Sequence, residues 1–298
     1  FLFHENYHRN ENMSLSIQYD STFDGFLSVV FEIYRQRLDV GEIKANRLKN
    51  QSLDLFYQPF WIETNLDCAR RIKRAIVNAA SEDVLNLLDV AFRSESPDVE
   101  MNILSYLRKL FAGIDPNYGK NPTSDEMLPL LQTAQAVRRE AGDMLGMVRF
   151  TKLEDGTYFS EISPKYDILA LMAPHFRGRF ANERWAIYDS SRNYGMYYDG
   201  RGIMEISIPD VKAVTAGLPP DAITQLWKDF YKAIAIKERE NPRLLKRCLP
   251  VRYWKHLPER EASPVSSQDP FTLKKNFALP SVVARLNSAK ATVQSLHR

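Results

Sequence analysis

The chain has 298 residues, of which 44% are hydrophobic and 26% charged, with a net charge of +3. That is the balance of a folded globular protein, long enough for two domains or one large one with additions. No run approaches the roughly 18 apolar residues of a membrane span, so no membrane is expected.

Residues 1–13 lack the apolar core of a signal peptide. With Met13 a natural start, they are expected to be a disordered or non-native extension. His4 and His8 have no further ligand nearby and define no metal site. Ser16 to Tyr19 reads as a short strand. A helix follows over STFDGFLSVVFEIYRQR, capped by Ser21 or Thr22, with Phe23, Phe26, Leu27, Val30 and Tyr34 at helical spacing. Gly41 to Ser52 is polar, and Phe56 to Ile62 can be a strand. Leu66 to Ala80 is helical, with Cys68, Ile72 and Ile76 inward. Ser81 starts a helix through Phe92. Ser96 and Pro97 start another, to about Phe111, with Gly113 as its stop. Thr123 and Glu126 have capping-box spacing before a helix to Leu145.

The pattern changes at Met147. VRFTKLEDGTYFSEIS alternates around Asp155-Gly156, a hairpin signal. Ser163-Pro164 then caps a helix that ends near Pro174. WAIYD and YGMYY are period-2 strands joined by Ser190 to Asn193. Helix returns over Ala222 to Arg239, and Pro242 and Pro250 punctuate a basic stretch. Residues 261–281 read as a linker. Val282, Leu286, Ala289, Val293 and Leu296 then share one side of a helix that can dock a partner. The expected fold is α+β. A mainly helical layer (14–145) packs on a small antiparallel sheet of about four strands and is closed by basic C-terminal helices (146–260). A linker and docking segment (261–298) follows.

Two groups of residues can carry chemistry. His175, Arg177, Arg179, Asn182, Glu183, Asp189 and Arg192 lie close in sequence. Paired guanidinium groups beside a histidine suit a phosphate, and a structural ion-pair network gathers the same residue types. The second group is the basic stretch. Between Lys237 and Arg260 stand eight Lys/Arg and three acids. Arg243, Lys246, Arg247, Arg252 and Lys255 supply the salt-dependent part of nucleic-acid affinity. Tyr253 and Trp254 can stack on bases. More simply, Trp227, Tyr231, Tyr253 and Trp254 anchor the last helices in the core.

Cys68 and Cys248 are the only cysteines. That leaves no CxxC pair and no four-cysteine set for an iron–sulfur cluster or structural zinc, and it suits a cytoplasmic protein. There is also no glycine-rich phosphate loop, no HExxH and no GxSxG. Gly-Arg-Gly at 200–202 is too short to count.

Four stretches, YDSTFDGFLSVVFEIY, GMVRF, APHFRGRFANERWAIYDSSRNYGMYY and WKDFYKAIAIKERENPRLLKRCLPVRYWKHLPE, resemble a bacterial family of unknown function. Its members are described as DNA metabolism or DNA repair proteins. The resemblance covers about residues 17–260. Such proteins typically lie beside a radical-SAM protein, and some are fused to a uracil-DNA-glycosylase-type domain. Relatives carry Glu-x-His before GMVRF, whereas here the sequence is Glu140-Ala141-Gly142-Asp143.

The resemblance implies DNA and a radical-SAM protein as partners, with a uracil-DNA-glycosylase-type protein in some settings. An iron–sulfur cluster and S-adenosylmethionine would belong to the radical-SAM partner, so no cofactor or metal is expected here. The leading expectation is a DNA-binding accessory protein in repair or base modification. Arg177, Arg179, Arg192, Arg243, Lys246, Arg247, Arg252 and Lys255 would contact phosphates. The alternatives are a glycosylase- or nuclease-like hydrolase using His175, Glu183 or Asp189, and a protein-only adaptor docking through its tail.

Overall fold

The computed structural model describes residues 15–46, 60–113, 115, 117–121, 124–208, 222–234, 236, 239 and 241–260. The expected extension, the Thr123 cap, the 261–281 linker and the tail helix lie outside these residues. The fold is α+β. The chain divides into two units, Phe1–Val137 and Arg138–Arg298.

In the first unit, β1 (Leu15–Tyr19) leads into α1 (Phe23–Gln36), then β2 (Val40–Ala45) and β3 (Phe60–Trp61). β1 is central and pairs in parallel with both neighbours. A parallel pair needs a crossover, and α1 provides it between β1 and β2. Thr22 caps α1 by accepting from the Gly25 N–H at 2.9 Å. Phe26, Leu27, Val29 and Val30 are completely buried and form its inner face. β2 was expected only as a polar stretch. It buries just Val40 and Ile43, and its register with β1 shifts at Leu15/Ser16, so the period-2 signal is lost.

Three helices follow: α2 (Leu66–Ala79), α3 (Glu82–Phe92) and α4 (Val99–Ala112). Asn65 and Ser81 cap the first two through backbone N–H bonds to their side chains. Ile72 and Ile76 are buried as expected, while Cys68 is only partly covered. α4 begins two residues later than the expected Pro97. The hydroxyl of Ser94 accepts from the Ser96 N–H, which holds a turn where the cap was placed.

The second unit is built on a sheet ordered β4-β5-β6-β7-β8. Its strands are Thr151–Lys152, Tyr158–Ile162, Trp185–Asp189, Tyr194–Tyr198 and Ile203–Ile206. The hairpin at Asp155-Gly156 forms, with Gly156 at φ 82°. Gly-Arg-Gly makes the turn from β7 to β8, where both Arg201 and Gly202 N–H groups donate to Asp199. β5 and β6 are parallel and all other pairs antiparallel, because α6 (Leu169–Arg179) runs back between them.

α6 does not end at Pro174 but passes through it. A helix-interior proline forfeits one backbone hydrogen bond. Here burial of Leu169, Met172, Ala173 and Phe176 outweighs that loss. Phe176 packs among Phe150, Phe180 and Trp185, with centroids 5.6–6.2 Å apart, and Trp185 stacks on Tyr198. The other face of the sheet packs Leu153, Phe159, Ala186, Tyr188, Tyr197 and Ile206. Helix α5 (Met127–Leu145) contains the division between the units. The chain closes with α7 (Ala222–Ile234), α8 (Pro242–Cys248) and short 3-10 helices at Val251–His256 and Pro258–Arg260.

Gly195 is needed for close approach. A Cβ there would lie 2.8 Å from the Ile187 carbonyl oxygen and 3.2 Å from Tyr188. Gly195→Val is expected to destabilise the protein by about 1–3 kcal/mol, the range for overpacked cores, measured as a lower urea midpoint at unchanged slope.

Candidate functional site

In sheets with parallel strands, ligands collect beyond the carboxyl ends of those strands. β5 and β6 are such a pair here, and their exits, 163–167 and 190–193, carry a dense polar network. Its centre is Glu140 on α5, only 7% exposed. The Glu140 carboxylate accepts from the Lys165 N–H at 2.9 Å and the Tyr166 N–H at 2.8 Å. It also accepts from Arg252 Nη2 at 3.0 Å and from the Tyr253 hydroxyl. Three of these donors converge on Oε1 and one reaches Oε2, so the buried carboxylate is well compensated. Burial, then the bond to Glu140, raises the Tyr253 pKa.

The second element closes β6. Asp189 is fully buried, accepting from the Ser191 N–H at 2.8 Å and Arg192 Nη1 at 2.7 Å. Burial raises the Asp189 pKa, and Arg192 opposes the rise. Arg192 reaches the other exit, donating to the Lys165 carbonyl at 2.9 Å and the Pro164 carbonyl at 3.4 Å. Ser190 donates to Ile162 O from its backbone and its hydroxyl, and the Tyr194 hydroxyl bonds Asp167.

The third element joins β5 to the 251–256 turn, which packs against that strand. Ser163 Oγ lies 2.9 Å from His256 Nε2, and His256 Nδ1 lies 4.0 Å from Glu161 Oε1. Burial pushes the His256 pKa below 6.5; Glu161 raises it and Lys255 lowers it further. His256 is therefore neutral near pH 7, with one ring nitrogen able to accept a proton.

The fold separates what the sequence places together. α6 leaves the carboxyl end of β5 and returns to the amino end of β6. His175, Arg177 and Arg179, on the last turns of α6, and Glu183, before β6, stand at that amino end and are exposed. Asp189 and Arg192 lie at the opposite end of the strand. Six residues of extended chain span about 20 Å, so His175 and Glu183 share no site with Asp189.

Arg243, Lys246 and Arg247 are exposed on α8, as is Lys255 in the following turn. Asn241 caps α8 by accepting from the Leu244 N–H at 3.0 Å. Arg252 is held by Glu140 yet keeps half its side chain exposed. Tyr253 is buried, and Trp254 donates to the Leu249 carbonyl at 3.0 Å. Trp227 remains 36% exposed, with Arg149 over its ring. Arg149 also bonds Glu259 at 2.8 Å.

Sequence reasoning missed Glu140, Glu161, Ser163 and His256 as site residues. Glu140 had a readable signal, since it is an acid beside Val137, Ala141 and Met144, the buried stripe of α5. In the expected Glu-x-His pattern, the histidine would fall at Gly142, where an added Cβ meets nothing within 4 Å.

A family model described as a domain of unknown function, DUF4130, matches residues 97–259, more than half of the chain. That span holds all the network residues named above. No curated protein matches the chain, and no solved structure matches it.

Two outcomes test this network. Glu140→Ala leaves its donors without their acceptor. Removing one partner of a buried pair costs about 3–5 kcal/mol; the half-exposed Arg252 rehydrates, so about 3 kcal/mol is expected, with faster amide exchange over 251–257. Glu140→Gln should lose less. Separately, His256 has a folded pKa below its ordinary value. The unfolded chain therefore takes its proton first, and stability is expected to fall as pH drops below about 6.5. Urea midpoints measured from about pH 7.5 down to about pH 5 should show that fall, and His256→Gln should flatten it.

Proposed function

We propose that this chain, which belongs to that family of unknown function, is a DNA-binding accessory protein in DNA repair or base modification, working beside a radical-SAM enzyme. The observation that carries this reading is the exposure of Arg243, Lys246 and Arg247 on α8 and of Lys255 in the turn that follows it. Among the described residues, none of these four forms an ion pair. Glu140 and Glu259 hold the segment through Arg252, Tyr253 and Arg149. Exposed cations of this kind suit a phosphate backbone, which releases condensed counterions on contact.

The resemblance of the chain to DNA metabolism and repair proteins supplies the DNA context and the radical-SAM partner. The cluster and S-adenosylmethionine belong to that partner in this reading. Arg177 and Arg179, exposed at the far end of α6, are a second place for phosphate contact. A hydrolase acting on DNA is the alternative reading, and the observation favouring it is the Ser163–His256 pair.

The test is DNA affinity measured against salt. Affinity is expected to fall steeply as salt rises, with log K declining by about 0.9 per phosphate contact for each decade of salt. Arg243→Glu, Lys246→Glu and Arg247→Glu combined should remove most binding and flatten the slope. Binding that ignores salt, or that survives this triple reversal, contradicts the proposal.

A further inference from the structure

We infer that Ser163 is a nucleophile with His256 as its general base, and that the two form a catalytic site for a nucleic-acid phosphodiester. The geometry is that of an activated hydroxyl. Ser163 Oγ and His256 Nε2 are at hydrogen-bond distance, 2.9 Å, the reach a proton transfer needs. Nδ1 of the same ring faces Glu161 at 4.0 Å. That acid favours the tautomer with the proton on Nδ1 and the lone pair on Nε2. Burial keeps the ring neutral near pH 7, against the opposing effect of Glu161. The groups facing His256 are Ser163 and Glu161 from the β5 side and Lys255 from its own turn.

The hydroxyl is held in a fixed frame. Ser163 leaves β5 into a loop bonded at successive backbone groups: the carbonyls of Pro164 and Lys165 by Arg192, and the N–H groups of Lys165 and Tyr166 by Glu140. Fixed orientation of this kind lowers the reorganisation needed for reaction. Lys165 on this loop and Lys255 beside His256 are exposed, and Arg252 is paired with Glu140. The choice of a nucleic-acid phosphodiester rests on the DNA-binding reading above.

The chemistry balances without a further reactant except water. Ser163 Oγ attacks phosphorus as its proton passes to His256 Nε2. The bond from phosphorus to the leaving oxygen breaks, and that oxygen takes the proton from His256. Water then attacks the phosphoserine, giving its proton to His256. The bond to Oγ breaks and Oγ recovers the proton. The net change is one diester and one water to a monoester and an alcohol. Glu161 is a positioning residue.

The full chain is assayed with bis(4-nitrophenyl) phosphate, following nitrophenolate release. Hydrolysis is expected, falling about 100-fold or more in Ser163→Ala and in His256→Gln, as general-base loss does. Glu161→Gln should move the acid limb of the pH–rate profile to lower pH, because the carboxylate raises the His256 pKa. Urea midpoints confirm that each variant is folded. A second, fold-independent readout is Ser163→Cys, in which the thiol should react with iodoacetamide at least about 10-fold faster than Cys68 or Cys248, since a neighbouring base raises the thiolate fraction. No hydrolysis by the native protein, retention of activity in Ser163→Ala, or a sluggish thiol at 163 would each overturn the inference. DNA affinity of the native protein is read separately from its salt dependence, so DNA bound without hydrolysis overturns this inference alone, and absent DNA binding overturns the reading it rests on.

Discussion

The second unit depends on one carboxylate. Glu140 sits in a stripe of apolar residues on α5, where an unpaired acid would be strongly destabilising. Its donors come from residues 25, 26, 112 and 113 positions further along the chain. One side chain therefore fixes both the exit of β5 and the turn at 251–256. Two distant segments meet because the same buried charge needs both. An apolar side chain in its place would leave those donors without an acceptor and could not define where two backbone segments lie.

From this anchor the remaining polar contacts follow a single loop. Residues 163–167 receive Arg192 on their carbonyls, Glu140 on their N–H groups, His256 on the Ser163 hydroxyl and Tyr194 on Asp167. A loop so restrained presents its side chains with little freedom left to lose on binding. The same turn that carries His256 carries Lys255 and Arg252. The proposed phosphate surface and the proposed nucleophile are thus held by a common device, and a change at Glu140 should disturb both.

What was legible in the sequence was local. The Thr22 and Ser81 caps and the Asp155-Gly156 hairpin each depend on a few adjacent residues, and each forms. The cluster of cations was readable as composition. Contacts across long sequence separations were not readable. Pro174 suggested a helix end, yet burial of Phe176 carries the helix through it. The residues from His175 to Arg192 looked like one constellation, but a crossover helix delivers them to opposite ends of β6. His256 was passed over among lysines and arginines because its partner, Ser163, is 93 positions away. Strand β2 was hidden because a register shift breaks the alternation that marks a half-buried strand.

The central claim is that the carboxylate-anchored turn faces DNA. Amide hydrogen exchange of the full chain, with and without an oligonucleotide at low salt, tests it most directly. Protection concentrated in residues 241–260, and extending to the 163–166 loop, is the result expected. Unchanged exchange across 241–260 while the oligonucleotide is bound would contradict it.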